Sequence, residues 1–303
     1  MLQNSNYDKL EDFQNSSFQD IMNLKLNLWG NNIRDEGMQT IGQSLGKCLN
    51  LQKLYLDLSS NNIGIKGLQY LHSYLAICKN LISLELYLRS NKIGDQGIVS
   101  LQNCSNFISL TLDLSCNSIC SSGTLKISQF ISECVKLNSL VLYLSTNDIG
   151  DYGLSNLVSS FTQCKSLQTL SMNIAYNCVG DEGISALGLS LSNCLNLLTL
   201  ELNLYGNDIG DQGLSTFANS LSNCENLKNL KLYLRENRIH NEGAIALISN
   251  LEQCANLKSL NIDLWYNGID NDGFNGIVRS LKKQKNLQVL QLYLKQVFIQ
   301  NNN

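Results

Sequence analysis

The stretch ELNLYGNDIGDQG, residues 201–213, gathers Asn207, Asp208 and Asp211 beside Gly210 and Gly213. Taken alone it reads equally well as a metal loop, a phosphate cradle or a structural turn. Its relatives elsewhere in the chain decide. Aligning the sequence on L-x-L-x-x-N-x-[IV] places an asparagine at 31, 61, 91, 117, 147, 177, 207, 237 and 267, a period of 30 with one interval of 26. Six residues after each stands a glycine, from Gly37 and Gly67 to Gly243 and Gly273. Thirteen residues before the second to ninth asparagines stands a cysteine: Cys48, Cys78, Cys104, Cys134, Cys164, Cys194, Cys224 and Cys254. Self-similarity at such a period is the signature of a solenoid.

Within one unit, LKNLKLYLREN (227–237) alternates apolar and polar residues, which is strand periodicity with the leucines on one side. The following NEGAIALISNLEQC carries Ala244, Leu247, Ile248 and Leu251 at helical spacing. Each unit is therefore strand, turn, helix, and neither element buries its apolar face until units stack. In the short third unit GIVSLQNC stands where the seventh has GLSTFANSLSNC, four residues more. Four residues is close to one helical turn, so the deletion shortens a helix without rotating its apolar face away from the core.

The residues LTLELNLYGNDIGDQGLSTFANSLSNCENLKNL (198–230) resemble the leucine-rich repeat family, in its ribonuclease-inhibitor-like branch of long repeats with a full helix. The resemblance covers nearly everything from Ile21 onward. It implies an α/β fold: a curved, right-handed solenoid, or horseshoe, with parallel strands on the concave face and helices on the convex face. One departure is visible. The usual pattern is L-x-x-L-x-L-x-x-N-x-L, whereas Leu197, Leu200, Leu202, Leu204 and Asn207 add two residues to the strand. An insertion of two keeps each side chain on its face, so a taller concave sheet is expected.

The opening loop is then structural. In this family such asparagines hydrogen-bond backbone groups of the adjacent turn, so Asn207 belongs to a ladder that satisfies otherwise orphaned polar groups. Asp211 recurs as Asp35, Asp95, Asp151 and Asp181, with Asn241 and Asn271 as substitutes, just ahead of each helical pattern, which is the chemistry of an N-cap. A calcium loop needs oxygen ligands at alternate positions, and Ile209 and Gly210 interrupt any such series; no metal is expected. The glycine two positions on is expected where a Cβ would collide with the neighbouring unit. The cysteine ladder lacks C-x-x-C spacing and lies on the helical side, where neighbours are too far apart to bridge, so buried free thiols are expected. Cys116, Cys120 and Cys178 fall outside it without explanation. His72 and His240 occupy different unit positions with no nucleophile beside them, and nucleotide-binding and kinase motifs are absent, so neither an enzyme nor a cofactor is expected.

Function should lie where the units differ. Two positions before each asparagine the residues run Trp29, Ser59, Arg89, Ser115, Ser145, Ala175, Tyr205, Arg235, Trp265, with Lys295 in the final strand. Four before, they run Asn27, Asp57, Tyr87, Asp113, Tyr143, Asn173, Asn203, Tyr233, Asp263, Tyr293. Tryptophan, tyrosine and arginine dominate interface energetics. Trp29, Tyr87, Arg89, Tyr205, Tyr233, Arg235, Asp263, Trp265 and Tyr293 are the candidate partner-binding residues, and the last six from Tyr205 onward should form one patch. The leading reading is a non-catalytic scaffold that binds a protein partner on its concave face. The resemblance also extends to an enzyme regulator, such as a Ran-type GTPase-activating protein or an enzyme inhibitor, with Arg89 or Arg235 as a charge-stabilising finger. Such arrays also occur as part of longer, kinase-containing proteins.

A net charge of −3 provides no field for nucleic acid. The N-terminus lacks an apolar signal region and no run is long enough to span a membrane, so a cytoplasmic location is expected. Residues 1–20 form an N-terminal capping segment, with Leu10, Phe13 and Phe18 covering the first strand, and residues 21–303 a solenoid of nine units plus a final strand. At the far end LQVLQLYLKQVFIQNNN has Val297 where an asparagine belongs, which suggests either a continuing chain or an end that docks on another subunit.

Overall fold

A computed structural model describes residues 3–98 and 106–294; Cys104, Lys295, Val297 and most of the shortened GIVSLQNC segment lie outside them. The strands are β1 (Gln3–Tyr7), β2 (Ile21–Asn27), β3 (Lys53–Asp57), β4 (Ser83–Tyr87), β5 (Ser109–Asp113) and β6 (Ser139–Tyr143). They continue with β7 (Thr169–Asn173), β8 (Thr199–Asn203), β9 (Asn229–Tyr233), β10 (Ser259–Asp263) and β11 (Val289–Tyr293). Between them run α1 (Leu10–Gln14), α2 (Arg34–Leu45), α3 (Ile65–Leu75), α4 (Gly94–Ile98) and α5 (Ser121–Glu133). The remaining helices are α6 (Gly150–Val158), α7 (Asp181–Leu191), α8 (Asp211–Leu221), α9 (Asn241–Asn250) and α10 (Asn271–Leu281). All described strands form one sheet in chain order, and every neighbouring pair is parallel. This is the strand and helix alternation of a leucine-rich-repeat solenoid. Leu200 pairs with Leu230 and Leu230 with Leu260; across the short unit Leu84 still pairs with Leu110. Sheet leucines and the helical face of Ala244, Leu247, Ile248 and Leu251 share one continuous core.

The asparagines bind the units to one another. Asn207 accepts through Oδ1 from the amides of Asn177 and Val179, at 3.1 and 3.0 Å. Its Nδ2 donates to the Ile174 and Leu204 carbonyls, at 3.1 and 3.0 Å. Asn91, Asn117 and Asn147 repeat that pattern. Each asparagine thus satisfies backbone of the preceding unit as well as its own. Immediately before each stands a left-handed residue: Gly30, Ser60, Ser90, Cys116, Thr146, Tyr176, Gly206, Glu236 and Tyr266. Only two are glycine. In the first eight, the amide donates to a carbonyl of the next unit, as Glu236 does to Trp265 at 3.0 Å. That bond holds a conformation that non-glycine residues adopt only at a cost. Cys116 belongs to this column, and Cys178 is another left-handed turn residue.

The aspartate column corrects the N-cap expectation. Asp35 does not cap its own helix; its carboxylate reaches forward and accepts from Gly64 and Gly67, at 2.8 and 2.9 Å. Asp151 does the same for Gly180 and Gly183, Asp181 for Gly210, Asp211 for His240 and Asn241 for Asp270. Asp95 accepts from the Cys120 amide and thiol, at 2.8 and 2.5 Å, which gives Cys120 its role. Each of these caps therefore belongs to the helix of the following unit, whereas α10 is also capped locally by Asp270, which accepts from the amides of Asp272 and Gly273. Where the column holds Ile65 or Ser121, the next junction lacks such a carboxylate and its residue, Gly94 or Gly150, turns left-handed at φ +54° or +61°. Junctions that receive a cap are extended, as at Gly64 (φ −114°) and Gly210 (φ −107°). At six of the column's glycines the same reach takes up the space: a Cβ on Gly213 would lie 2.5 Å from both Cα and Oδ1 of Asp181, whereas at Gly37, Gly97 and Gly153 it would meet Ile33, Ile93 and Ile149 of the same unit.

The ladder thiols Cys48, Cys134, Cys164, Cys194, Cys224 and Cys254 are buried, and Cys78 half-buried. Cys224 and Cys254 donate to carbonyls of the preceding helix, Leu191 and Leu221, at 3.5 Å each. Burial pushes the thiols of Cys48 and Cys224 up to about 12, and those of Cys164, Cys194 and Cys254 up to about 11. Two residues after the ladder cysteines runs a second asparagine series that the sequence reading passed over. Asn50, Asn80, Asn196, Asn226, Asn256 and Asn286 each donate to a carbonyl of the preceding unit.

The first twenty residues do more than cover an end. β1 pairs with β2, so the segment extends the sheet itself. Phe13 is fully buried, 5.5 Å from the rings of Tyr7 and Phe18. In β11, Leu290 is 45% exposed, whereas its equivalents Leu230 and Leu260 are buried.

Replacing Asn207 with alanine should remove about 2–4 kcal/mol of unfolding free energy in urea titration, because it strands buried backbone groups in two units. Asn31→Ala, at an exposed site with one bond to the Trp29 carbonyl, should cost under about 0.5 kcal/mol. In pulse alkylation at pH 8, exposed Cys178 should react first. The five ladder thiols raised to about 11 or 12 hold almost no thiolate at that pH and should label only after denaturation.

Candidate functional site

Strand alternation turns the leucines inward and leaves the intervening residues on the concave face. Toward the C-terminal end they form a connected cluster along the sheet's upper rim. The Arg235 guanidinium lies over three rings: Tyr205 at 5.6 Å, Trp265 at 4.9 Å and Tyr266 at 4.6 Å. Trp265 and Tyr266 stack at 5.3 Å, and Tyr176 meets Tyr205 edge-on at 4.8 Å. Hydrogen bonds with Tyr176 and Glu236 hold the Tyr205 phenol well above the usual range. Gly206 makes room for this: a Cβ there would strike the Tyr176 ring at 2.5 Å. Nε of Arg235 is buried without a hydrogen-bond partner, and Glu236 is 4.0 Å away. Trp265, Tyr266 and Tyr176 remain exposed.

One row below, Tyr233, Asp263 and Tyr293 stand side by side in register. Asp263 is already engaged, since its carboxylate accepts from the Trp265 amide at 2.9 Å and so fixes the tryptophan's backbone. The same local bond recurs at Asp57, Asp113, Asn173 and Asn203. Asn27 makes it too, so every Asp and Asn of that column shapes the strand end as well as the surface. Sequence reasoning missed Tyr176, Glu236 and Tyr266 because they occupy the left-handed position just before the asparagine, which was treated as turn. The signal was present: glycine in two units and bulky residues in others.

Trp29, Tyr87 and Arg89 lie at the other end of the sheet. Tyr87 pairs with Tyr55, ring centroids 5.2 Å apart, and donates its hydroxyl to Glu85 at 3.2 Å. Trp29 and Arg89 are exposed at the ends of β2 and β4. The candidate residues thus fall into two groups along the concave face. Among the described residues no group of three or more histidine, cysteine or acidic side chains is placed to hold a metal. His240 faces Asp211 at 3.8 Å, and Nε2 of His72 has no partner. Among the described residues, neither side chain is hydrogen-bonded to a serine, threonine or cysteine. No helix of the described residues is long and apolar enough to cross a membrane.

With Trp29 replaced by phenylalanine, emission reports on Trp265 alone. Arg235→Ala should then shift it to longer wavelength and cost about 1–2 kcal/mol, the summed cation–π contacts of a partly exposed site.

A family model described as Leucine Rich repeat matches residues 22–42, 54–71, 82–101, 163–188, 196–218 and 226–247. No curated protein matches. Similar solved structures include an internalin C2 from Listeria monocytogenes, 22% identical over 83% of each chain with a TM-score of 0.46. An internalin F from the same organism is 20% identical over 87% of this chain and 90% of that one, with a TM-score of 0.40. The strand register, the asparagine ladder and the family match agree: the matched segments are leucine-rich repeats, and the fold is a leucine-rich-repeat solenoid.

Proposed function

We propose that the chain is a non-catalytic protein-interaction scaffold whose partner docks on the C-terminal part of the concave face. The observation that carries this is Arg235, fixed over Tyr205, Trp265 and Tyr266 with an Nε that makes no hydrogen bond, in a surface that stays open to solvent. Aromatic anchors and arginine concentrate binding energy, and side chains already immobilised lose little entropy when a partner arrives. Tyr233 and Tyr293 widen the patch, and Asp263 holds Trp265 in place. The full-length helices between strands favour the ribonuclease-inhibitor-like branch of the family. The free thiols of Cys48, Cys164, Cys194, Cys224 and Cys254 fit the reducing cytoplasm, where thiols persist.

The test compares wild type with a Tyr233→Ala, Arg235→Ala, Trp265→Ala variant as bait in lysate from the source cells, with a photo-crosslinking residue at position 266 in each. A protein captured and crosslinked by wild type, and lost at least tenfold by the variant while its melting temperature stays within a few degrees, is the expected result. Equal capture by both, or an unfolded variant with unchanged capture by Arg235→Ala alone, overturns the assignment. Stimulated GTP hydrolysis by a captured GTPase would instead identify an enzyme regulator.

A further inference from the structure

At the other end of the concave face, β3 to β5 carry three carboxylates that the fold leaves without cations. Asp57 and Asp113 stand in one row, on β3 and β5, with Tyr87 between them in register. Glu85 lies two residues below on β4, between Tyr55 and Thr111. At the usual strand spacing the two aspartates are about 10 Å apart, with Glu85 roughly 7 Å below the row. Among the described residues no lysine, arginine or histidine nitrogen comes within 4.0 Å of any of the three. Lys25, Lys53 and Arg89 are near in the fold and do not pair with them. The aspartates are held in position, since each accepts from an amide two residues on, Ser59 at 3.0 Å and Ser115 at 2.9 Å.

Tyrosine rings frame the group. Tyr55 and Tyr87 pack together, and Tyr143 stands beside Asp113. The negative field is felt by all three phenols: burial and then neighbouring carboxylates, Asp57 and Glu85 for Tyr55, Glu85 for Tyr87, Asp113 for Tyr143, push them up. That these rings accept a cation is already demonstrated within the chain, because Lys25 Nζ sits 4.8 Å over the Tyr55 ring. A separate observation marks the place as incomplete. Ser115, on the same face and only 1% exposed, has an Oγ with no hydrogen-bond partner. Buried polar groups are ordinarily satisfied, so an orphan here signals a missing partner. The neighbours of Ser115 in the same column, Ser59 and Ser145, are likewise small and buried.

We propose that Asp57, Glu85 and Asp113, framed by Tyr55, Tyr87 and Tyr143, form a subsite for the lysine or arginine side chains of a basic segment of a protein partner. The inference deepens the reading of the concave face as a partner-binding surface and names the chemistry of one part of it. A polyproline II segment has three residues per turn and rises about 3.1 Å per residue, so cations three apart in sequence share one face at about the separation of the two aspartates. Each would exchange water for a carboxylate and a ring face.

The test uses a fluorescein-labelled decalysine peptide and anisotropy at low salt, where exposed charges are least screened. The variant Asp57→Asn, Glu85→Gln, Asp113→Asn keeps the local acceptors, as Asn27, Asn173 and Asn203 do in other units, and should weaken binding at least tenfold. A control that removes three convex charges, Glu182→Gln, Glu225→Gln, Glu242→Gln, should stay within twofold of wild type. Carbodiimide coupling of bound decalysine should place zero-length crosslinks on Asp57, Glu85 or Asp113. Equal losses in both variants, or crosslinks confined to other carboxylates, overturn the subsite. Spermine displacing the peptide at lower concentration than decalysine itself reassigns the site to polyamines. The Tyr233, Arg235, Trp265 alanine variant, run alongside, should still bind decalysine. Loss of natural-partner capture by that variant together with absent decalysine binding would remove the subsite and leave the scaffold reading standing.

Discussion

The structure depends on backbone groups that only the neighbouring unit can satisfy. Each strand in a stack of short parallel strands ends in a turn toward a helix, and there amide and carbonyl groups leave the sheet's ladder. An asparagine side chain carries an acceptor and two donors on a short stem. Asn207 uses them on Asn177, Val179, Ile174 and Leu204 at once. The aspartate caps obey the same logic one turn later, because the carboxylate of one unit completes the helix start of the next. Two polar ladders on the strand side and the thiol and asparagine series on the helix side all cross the unit boundary. A single unit is consequently not a stable object, and a defect in one is felt by its neighbour.

Those ladders also determine which concave residues are available for recognition. Wherever the fourth residue before the asparagine is Asp or Asn, its oxygen can be taken by the amide two residues on. Where it is tyrosine, as at Tyr87, Tyr143, Tyr233 and Tyr293, that bond is not made by this side chain, and the position projects an aromatic ring instead. The concave face therefore has two kinds of surface: carboxylates anchored by one oxygen, and rings held by their neighbours. The first predominate in β3 to β5 and the second from β8 onward.

The repeat, its strand and helix and the direction of each leucine were legible in the sequence because a period-30 column of Asn, Gly and Cys overrides any ambiguity of a single segment. The reach of Asp35 or Asp211 was not. Local rules assign such a residue to its own helix, and only stacking brings Gly64 or His240 closer than the residue's own first turn. The site was half legible. Tyr205, Arg235 and Trp265 follow from alternation alone, whereas Tyr176 and Tyr266 sit in a left-handed turn whose occupancy by bulky residues contradicts propensity. At Tyr176 the reason is tertiary: its amide bonds the Tyr205 carbonyl of the next unit, which stabilises the turn regardless of the side chain. The aspartates at 57 and 113 were read as surface only, since a bond from side chain to backbone two residues away leaves no periodic trace.

The left-handed column has a further consequence for binding. Tyr176 and Glu236 project from backbone that has little freedom, and Arg235 is held over the rings of Tyr205, Trp265 and Tyr266. A surface assembled so loses little conformational entropy on association, and the cost of ordering was met during folding. Strain of this kind tends to persist where surrounding structure over-determines it, and here the next unit's carbonyl supplies that restraint. The repeat thus permits side chains at the rim to change from unit to unit without loosening their geometry: variation in chemistry is decoupled from variation in backbone. That decoupling allows one chain to place an aromatic and arginine surface at one end of its concave sheet and a carboxylate and tyrosine surface at the other, on the same rigid ladder.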